Sequence, residues 1–81
     1  NTDAYGFSML VQSSGAEVRG KKALVFGSGG ASATAQYVLR QMGAREVVVI
    51  SRHGADNYEN LGRHTDAQIA VNTRSWRPRW T

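Results

Sequence analysis

Cysteine is absent from the 81 residues, which excludes disulfide staples and thiolate metal sites. No apolar run approaches the roughly 20 residues that a membrane-crossing helix needs. No charged segment followed by an apolar one marks a signal peptide. There is no internal repeat and no low-complexity stretch. The two histidines, His53 and His64, have only Asp56, Asp66 or each other as candidate co-ligands, and that spacing fits no standard metal motif. Acidic residues are missing from the last eight positions, where Arg74, Arg77 and Arg79 fall. Without those three arginines, seven basic residues face six acidic ones, so the formal charge of +4 belongs to a tail and the body is nearly neutral. That balance argues against nucleic acid or an anionic membrane as the main partner. A chain of this length makes at most one small domain with a limited core. These features fit a cytoplasmic protein. The first residue is Asn1 rather than Met, so the sequence reads as though cut from a longer one.

What is present centres on Lys22 to Ser32. The apolar run Ala23 to Phe26 feeds directly into Gly27-Ser28-Gly29-Gly30, and a helix-like segment, Ala31 to Met42, follows at once. Strand, glycine turn and helix form the geometry that cradles a pyrophosphate: glycine lets the backbone approach the ligand, and the helix N-terminus offers free N–H groups and partial positive charge. Ser32 stands at the third glycine position, where a small residue still permits close helix–strand packing. The alternative is a tight strand–helix turn with no ligand. The strand before the turn and a second strand behind the helix favour the dinucleotide.

The surrounding pattern is that of an α/β unit. Asp3 to Gln12 places Ala4, Phe7, Leu10 and Val11 on one helical face, with Tyr5 and Met9 adjacent, and Ser13-Ser14-Gly15 ends it. Val18 to Lys22 is a basic lead-in with a turn at Gly20. In the next helix Ala35, Val38, Leu39 and Met42 face the sheet, and Gly43 is the natural residue just past its end. Glu46 to Ile50 contains the β-branched run Val47-Val48-Val49-Ile50, which suits a parallel strand covered on both faces. Two such strands joined by one helix make a right-handed βαβ unit. Asp56 and Glu59 have the spacing of a helix start, which predicts a short helix over Asn57 to Leu61 with His64 beyond it on the surface. Ile69-Ala70-Val71 reads as a third short strand.

The end of the second strand selects the cofactor. A carboxylate there binds ribose hydroxyls in NAD enzymes, whereas a basic residue accommodates the 2′-phosphate of NADP. This chain has Ser51-Arg52-His53, with no acid before Asp56. A guanidinium grips phosphate bidentately, and Ser51 and His53 add hydrogen-bonding groups. Alternatively, Arg52 is a solvated charge at a strand end.

Four motifs now stand in order: Asn1-Thr2-Asp3 with Gly6-Phe7, Gly27-Ser28-Gly29-Gly30-Ala31-Ser32, Ser51-Arg52-His53, and Val71-Asn72-Thr73. Together they resemble shikimate dehydrogenases over roughly residues 1 to 73. The resemblance implies NADPH-dependent reduction of 3-dehydroshikimate to shikimate, with a small-molecule substrate and NADP as cofactor. It implies that Gly27, Ser28, Gly29, Gly30, Ala31, Ser51, Arg52, His53 and Asn72 contact the cofactor. It also implies that Asp3 hydrogen-bonds substrate hydroxyls and holds a catalytic lysine, as both a catalytic and a substrate-binding residue. Taken by itself, Asp3 is an ordinary acid at a helix start, favourable to the dipole. The family's catalytic lysine belongs to a substrate-binding domain preceding Asn1, and Lys21 and Lys22 enter the nucleotide strand instead. After Thr73 the family's Thr-Pro-x-Gly-Met loop is absent.

The fold expected is thus a partial Rossmann-like nucleotide-binding domain, a parallel βαβ unit plus a third strand, preceded by a linker helix. Residues 1–16 form the linker helix from a missing substrate domain, 17–73 the partial NADP-binding domain, and 74–81 an irregular basic tail. That tail, Arg74 to Thr81 with Trp76 and Trp80, reads as a truncated or frameshifted end. Competing readings are a relative acting on quinate, and a non-catalytic nucleotide- or nucleic-acid-binding fragment that uses the tail's arginine and tryptophan side chains.

Overall fold

The computed structural model describes residues 4–27, 29–51, 54 and 57–73. The chain forms helix α1 (Ala4–Ser14), strand β1 (Lys22–Phe26), helix α2 (Gly30–Gln41), strand β2 (Glu46–Ile50), a 3₁₀ segment (Tyr58–His64) and strand β3 (Ile69–Asn72). The three strands make one parallel sheet in the order β2-β1-β3. β1 pairs Leu24 with Val48 on one edge and with Ala70 on the other.

Alternation along the strands divides the core into two layers. Ala23 and Val25 of β1 face α2, where they meet Ala35, Val38 and Leu39; Phe7 and Val18 complete that layer. Ile69 and Val71 of β3 and Val47 of β2 pack against it. Leu24, Val48 and Ile50 point the other way, toward Phe26, Leu61 and Ala67. From β1 the chain steps to β2 with α2 on one face, then back past β1 to β3 with the 3₁₀ segment on the opposite face. Reversing both direction and face keeps the hand of the crossover, as the rule for parallel strands requires.

Several local expectations are corrected. The first helix continues through Ser14 and stops at Gly15, whose φ is 79°. Leu10 lies outside the buried face: it is 41% exposed, and Phe7 alone is buried, with Ala4 and Val11 partly so. A helix that packs by one corner needs a narrower stripe than the sequence offered. β1 begins one residue early, at Lys22. β2 is an edge strand with a graded burial, its first residue exposed and only Val48 and Ile50 buried, so it is not covered on both faces throughout. The 3₁₀ segment starts from Asn57 rather than Asp56. The Asn57 side chain accepts from the amides of Glu59 and Asn60, and the Asn60 side chain accepts from the Asn57 amide. The reciprocal pair is thus Asn–Asn, one residue along from the anticipated Asp–Glu. His64 is the last residue of that segment and is half-buried. The expected C-terminus of α2 is as anticipated: Met42 caps it and Gly43 follows with φ of 92°.

Four charges tie the N-terminal ends of the strands together. Lys22 Nζ lies 3.0 Å from Asp66 Oδ1 and 3.9 Å from Glu46 Oε1. Arg45 bridges the same two acids, at 3.4 Å from Asp66 and 3.9 Å from Glu46. The Lys22 side chain is only 7% exposed, so its charge requires an anion nearby. The hydrogen bond from Lys22 holds the Asp66 carboxyl below the ordinary aspartate value of 3.8, against an opposing effect of desolvation. Because the folded-state value is depressed, the stabilisation is fully present above 3.8 and is lost as pH falls through the folded-state value. Asp66→Asn is therefore expected to lower the melting temperature at neutral pH and to flatten the loss of stability below about pH 4. Thermal denaturation followed by circular dichroism at stepped pH checks both, and parallel acid limbs for the two proteins would refute the assignment.

Candidate functional site

The chain leaves the sheet at the C-terminal ends of three neighbouring strands, and there the motifs converge. Phe26, the last residue of β1, is in register with Ile50 of β2 and Asn72 of β3. The Gly27 amide donates to the Ile50 carbonyl at 2.9 Å, which sets Gly27 beside Ser51. On the other side the Thr73 amide and hydroxyl both donate to the Phe26 carbonyl, at 3.1 Å and 2.8 Å. β1 lies between strands reached by opposite crossovers, so this end of the sheet is a topological switch point. Open parallel sheets bind their ligands in the crevice at such a point.

The turn itself is built for close approach. Gly27 has φ of 114°, and Gly29 has φ of 96° with ψ of −163°, a region essentially reserved for glycine. Gly29 caps α2 through its carbonyl, which accepts from the Ala33 amide at 3.0 Å, and it supplies no side chain to the helix end. A Cβ placed on Gly29 would meet nothing within 4 Å, so the space above the turn is open. The first turn of α2, Gly30-Ala31-Ser32, carries no acid. No side chain of that first turn offsets the partial positive charge of the helix end, which favours an anion. Behind the turn, Ser32 is 1% exposed and its hydroxyl accepts from Gln36 Nε2 at 3.2 Å. The small residue at that position allows α2 to sit tightly on β1, in the way a third glycine would.

Of the residues expected to contact a cofactor, Gly27, Gly29, Gly30, Ala31, Ser51 and Asn72 gather at this end of the sheet. Gly29, Gly30 and Asn72 are exposed; Gly27, Ala31 and Ser51 are half-buried. Ser28, Arg52 and His53 lie outside the described residues, as do Asp3, Asp56 and the 74–81 tail. Lys22 sits at the opposite end of β1, committed to Asp66 and Glu46. No group of three or more metal-ligating side chains occurs among the described residues. Among them, too, no helix is long and apolar enough to cross a membrane. Sequence reasoning passed over Thr73, although it quoted the motif that contains it. The available signal was a β-branched hydroxyl residue directly after a strand-forming run.

No protein-family model matches the chain. Curated relatives do. A shikimate dehydrogenase (NADP+) of Caldicellulosiruptor bescii is 48% identical over 52 residues, which is 64% of this chain and 18% of that protein. One from Bartonella henselae is 35% identical over 71 residues, 88% of this chain and 24% of the relative. Among solved structures, shikimate dehydrogenase 1 of Peptoclostridium difficile superposes with a TM-score of 0.76 at 30% identity, covering 89% of this chain and 28% of that one. The chain therefore spans about a fifth to a quarter of the length of the curated relatives it matches.

The geometry of the turn yields its own test. A Cβ on Gly29 meets nothing within 4 Å, yet the β-branched side chain in Gly29→Val is strained in the backbone region that Gly29 occupies. The variant is expected to keep the far-ultraviolet circular dichroism of the parent while losing about 1–3 kcal/mol of stability. Urea titration measures the loss; an unchanged midpoint would show that the turn relaxes at no cost.

Proposed function

Taking as premise that the chain belongs with the shikimate dehydrogenases over the segment it spans, we propose that it supplies the dinucleotide half of an NADP-dependent enzyme interconverting 3-dehydroshikimate and shikimate. The observation that carries the reading is the acid-free N-terminus of α2, set behind the open Gly29 turn at the switch point of the sheet. NADP(H), when bound, supplies or accepts the hydride. The residues of this chain bind and orient it. The backbone amides of the first turn of α2 hold the pyrophosphate, and Gly27 and Gly29 keep side chains out of its way. Ser51 stands at the end of β2 next to the site for the adenosine ribose, and Arg52 with His53 grips the 2′-phosphate. Asn72 flanks the crevice from β3.

The 2′-phosphate assignment rests on charge. Arg52 follows a strand end that has no carboxylate until Asp56. Removing the guanidinium removes charge-assisted hydrogen bonds from a phosphate that NAD lacks. Arg52→Ala is expected to weaken NADP+ binding by about 1–3 kcal/mol and to leave NAD+ binding nearly unchanged. Titration calorimetry with both nucleotides checks the difference, and an equal loss for both would make Arg52 a structural residue.

The chemistry also needs a proton donor for the carbonyl oxygen that becomes a hydroxyl. Asp3 is the residue of this chain assigned to the substrate, and a carboxylate ionised at neutral pH is a poor donor. The chain's two lysines, Lys21 and Lys22, lie at the start of β1, the end of the sheet remote from the glycine turn. The 81-residue chain by itself is therefore expected to show no turnover of NADPH with 3-dehydroshikimate. Nicotinamide absorbance above a protein-free blank would overturn this.

A further inference from the structure

The peptide unit between Phe26 and Gly27 is where β1 ends and the nucleotide turn begins, and it is held from two sides. Its N–H, on Gly27, donates to the Ile50 carbonyl of β2 at 2.9 Å. Its C=O, on Phe26, accepts from the Thr73 amide at 3.1 Å and again from the Thr73 hydroxyl at 2.8 Å. The first Thr73 contact is the ladder bond that any residue would make there. The second depends on a hydroxyl. Thr73 is 8% exposed, so the hydroxyl is shielded from water that would otherwise compete for it.

The position of this peptide unit gives the extra bond its meaning. Gly27 has φ of 114°, and glycine at that point offers little intrinsic resistance to rotation of the plane that precedes it. β3 is four residues long with alternating half-buried and exposed side chains, so its apolar pattern fixes it only weakly. A turn meant to hold a pyrophosphate with backbone amides must present them already oriented, because each one left to reorient costs affinity. We propose that Thr73 is a positioning residue: its hydroxyl locks the Phe26–Gly27 peptide plane and thereby pre-orients the glycine turn for the pyrophosphate. This rests on the nucleotide-site reading only for its functional half; the lock itself is a property of the chain alone.

The test separates those halves. Amide hydrogen exchange by NMR is measured on the free 81-residue chain for the parent, Thr73→Val and Thr73→Ser, with Val25 in the middle of β1 as the internal reference. Valine keeps the shape and the backbone donor but lacks the hydroxyl; serine restores it. The ratio of Gly27 to Val25 protection is expected to fall at least fivefold in Thr73→Val and to stay within twofold of the parent in Thr73→Ser. A merely structural role would lower both amides together and leave the ratio unchanged, which would overturn the lock. If Thr73→Val does not fold, Thr73→Ser against Thr73→Ala reads the same ratio, and equal values in that pair would overturn it as well. NADP+ is then titrated into the same proteins. Weaker binding in Thr73→Val, by about threefold or more, with serine restoring it, supports the positioning role; unchanged binding with a lowered ratio refutes that role while sparing the lock. No binding by the parent itself refutes the nucleotide-site reading, and the exchange ratio still decides the lock.

Discussion

A strand flanked on both edges and covered on both faces has no water to satisfy its backbone, so every amide and carbonyl must find its partner in the protein. β1 is under that constraint from Lys22 to Val25. Ala23 and Val25 fill one layer and Leu24 the other, while β2 and β3 take its two edges. Because both neighbours run parallel to β1, all three strands release the chain at the same end. The glycine turn, Ser51 and Asn72 are brought to one end of the sheet by that rule. Change the direction of one strand and the motifs would lie at opposite ends of the sheet.

The two ends of β1 are held by different physics. At its start, the charged ring of Lys22, Asp66, Arg45 and Glu46 ties β1 to the beginnings of β2 and to the approach to β3. At its finish, neutral hydrogen bonds from Gly27 and Thr73 perform the same task. The separation suits the α2 dipole. A carboxylate close to Gly30 would compete with an anionic ligand for the same amides, and the acids that brace the sheet are kept at the far end.

Much of this was legible in the sequence because the signals were periodic or punctuated. The run Val47 to Ile50 could be little else than a strand, although at the sheet edge only Val48 and Ile50 are buried, and Gly43 announced the end of α2. Gly27 and Gly29 marked the turn by their placement between strand and helix. Other features depended on partners distant in sequence. Nothing local distinguishes Leu10, which stays at the surface, from Val11, which packs on the core; the choice follows from how α1 lies on α2. Lys22 looked like the last residue of a basic lead-in, and it takes Asp66 and Glu46, both reached only after α2, to explain its burial. The start of the 3₁₀ segment shifted by one residue because Asn57 and Asn60 satisfy each other's amides, a reciprocity that asparagine offers and a search for acids overlooks. Thr73 was visible as a residue and opaque as a contact, since its acceptor is a main-chain oxygen.

The chain crosses from β1 to β2 through a single helix, but it returns to β1 only after α2, β2 and the 3₁₀ segment have all been traversed. Closing a longer loop costs more entropy before any contact repays it, so pairings distant in sequence form slowly. β1, α2 and β2 can nucleate as a local unit around the layer that Leu39 shares with Ala23 and Val25. By that rule β3 is expected to pair last, so the Lys22–Asp66 bond at one end of β1 and the Thr73–Phe26 bond at the crevice mouth close only then.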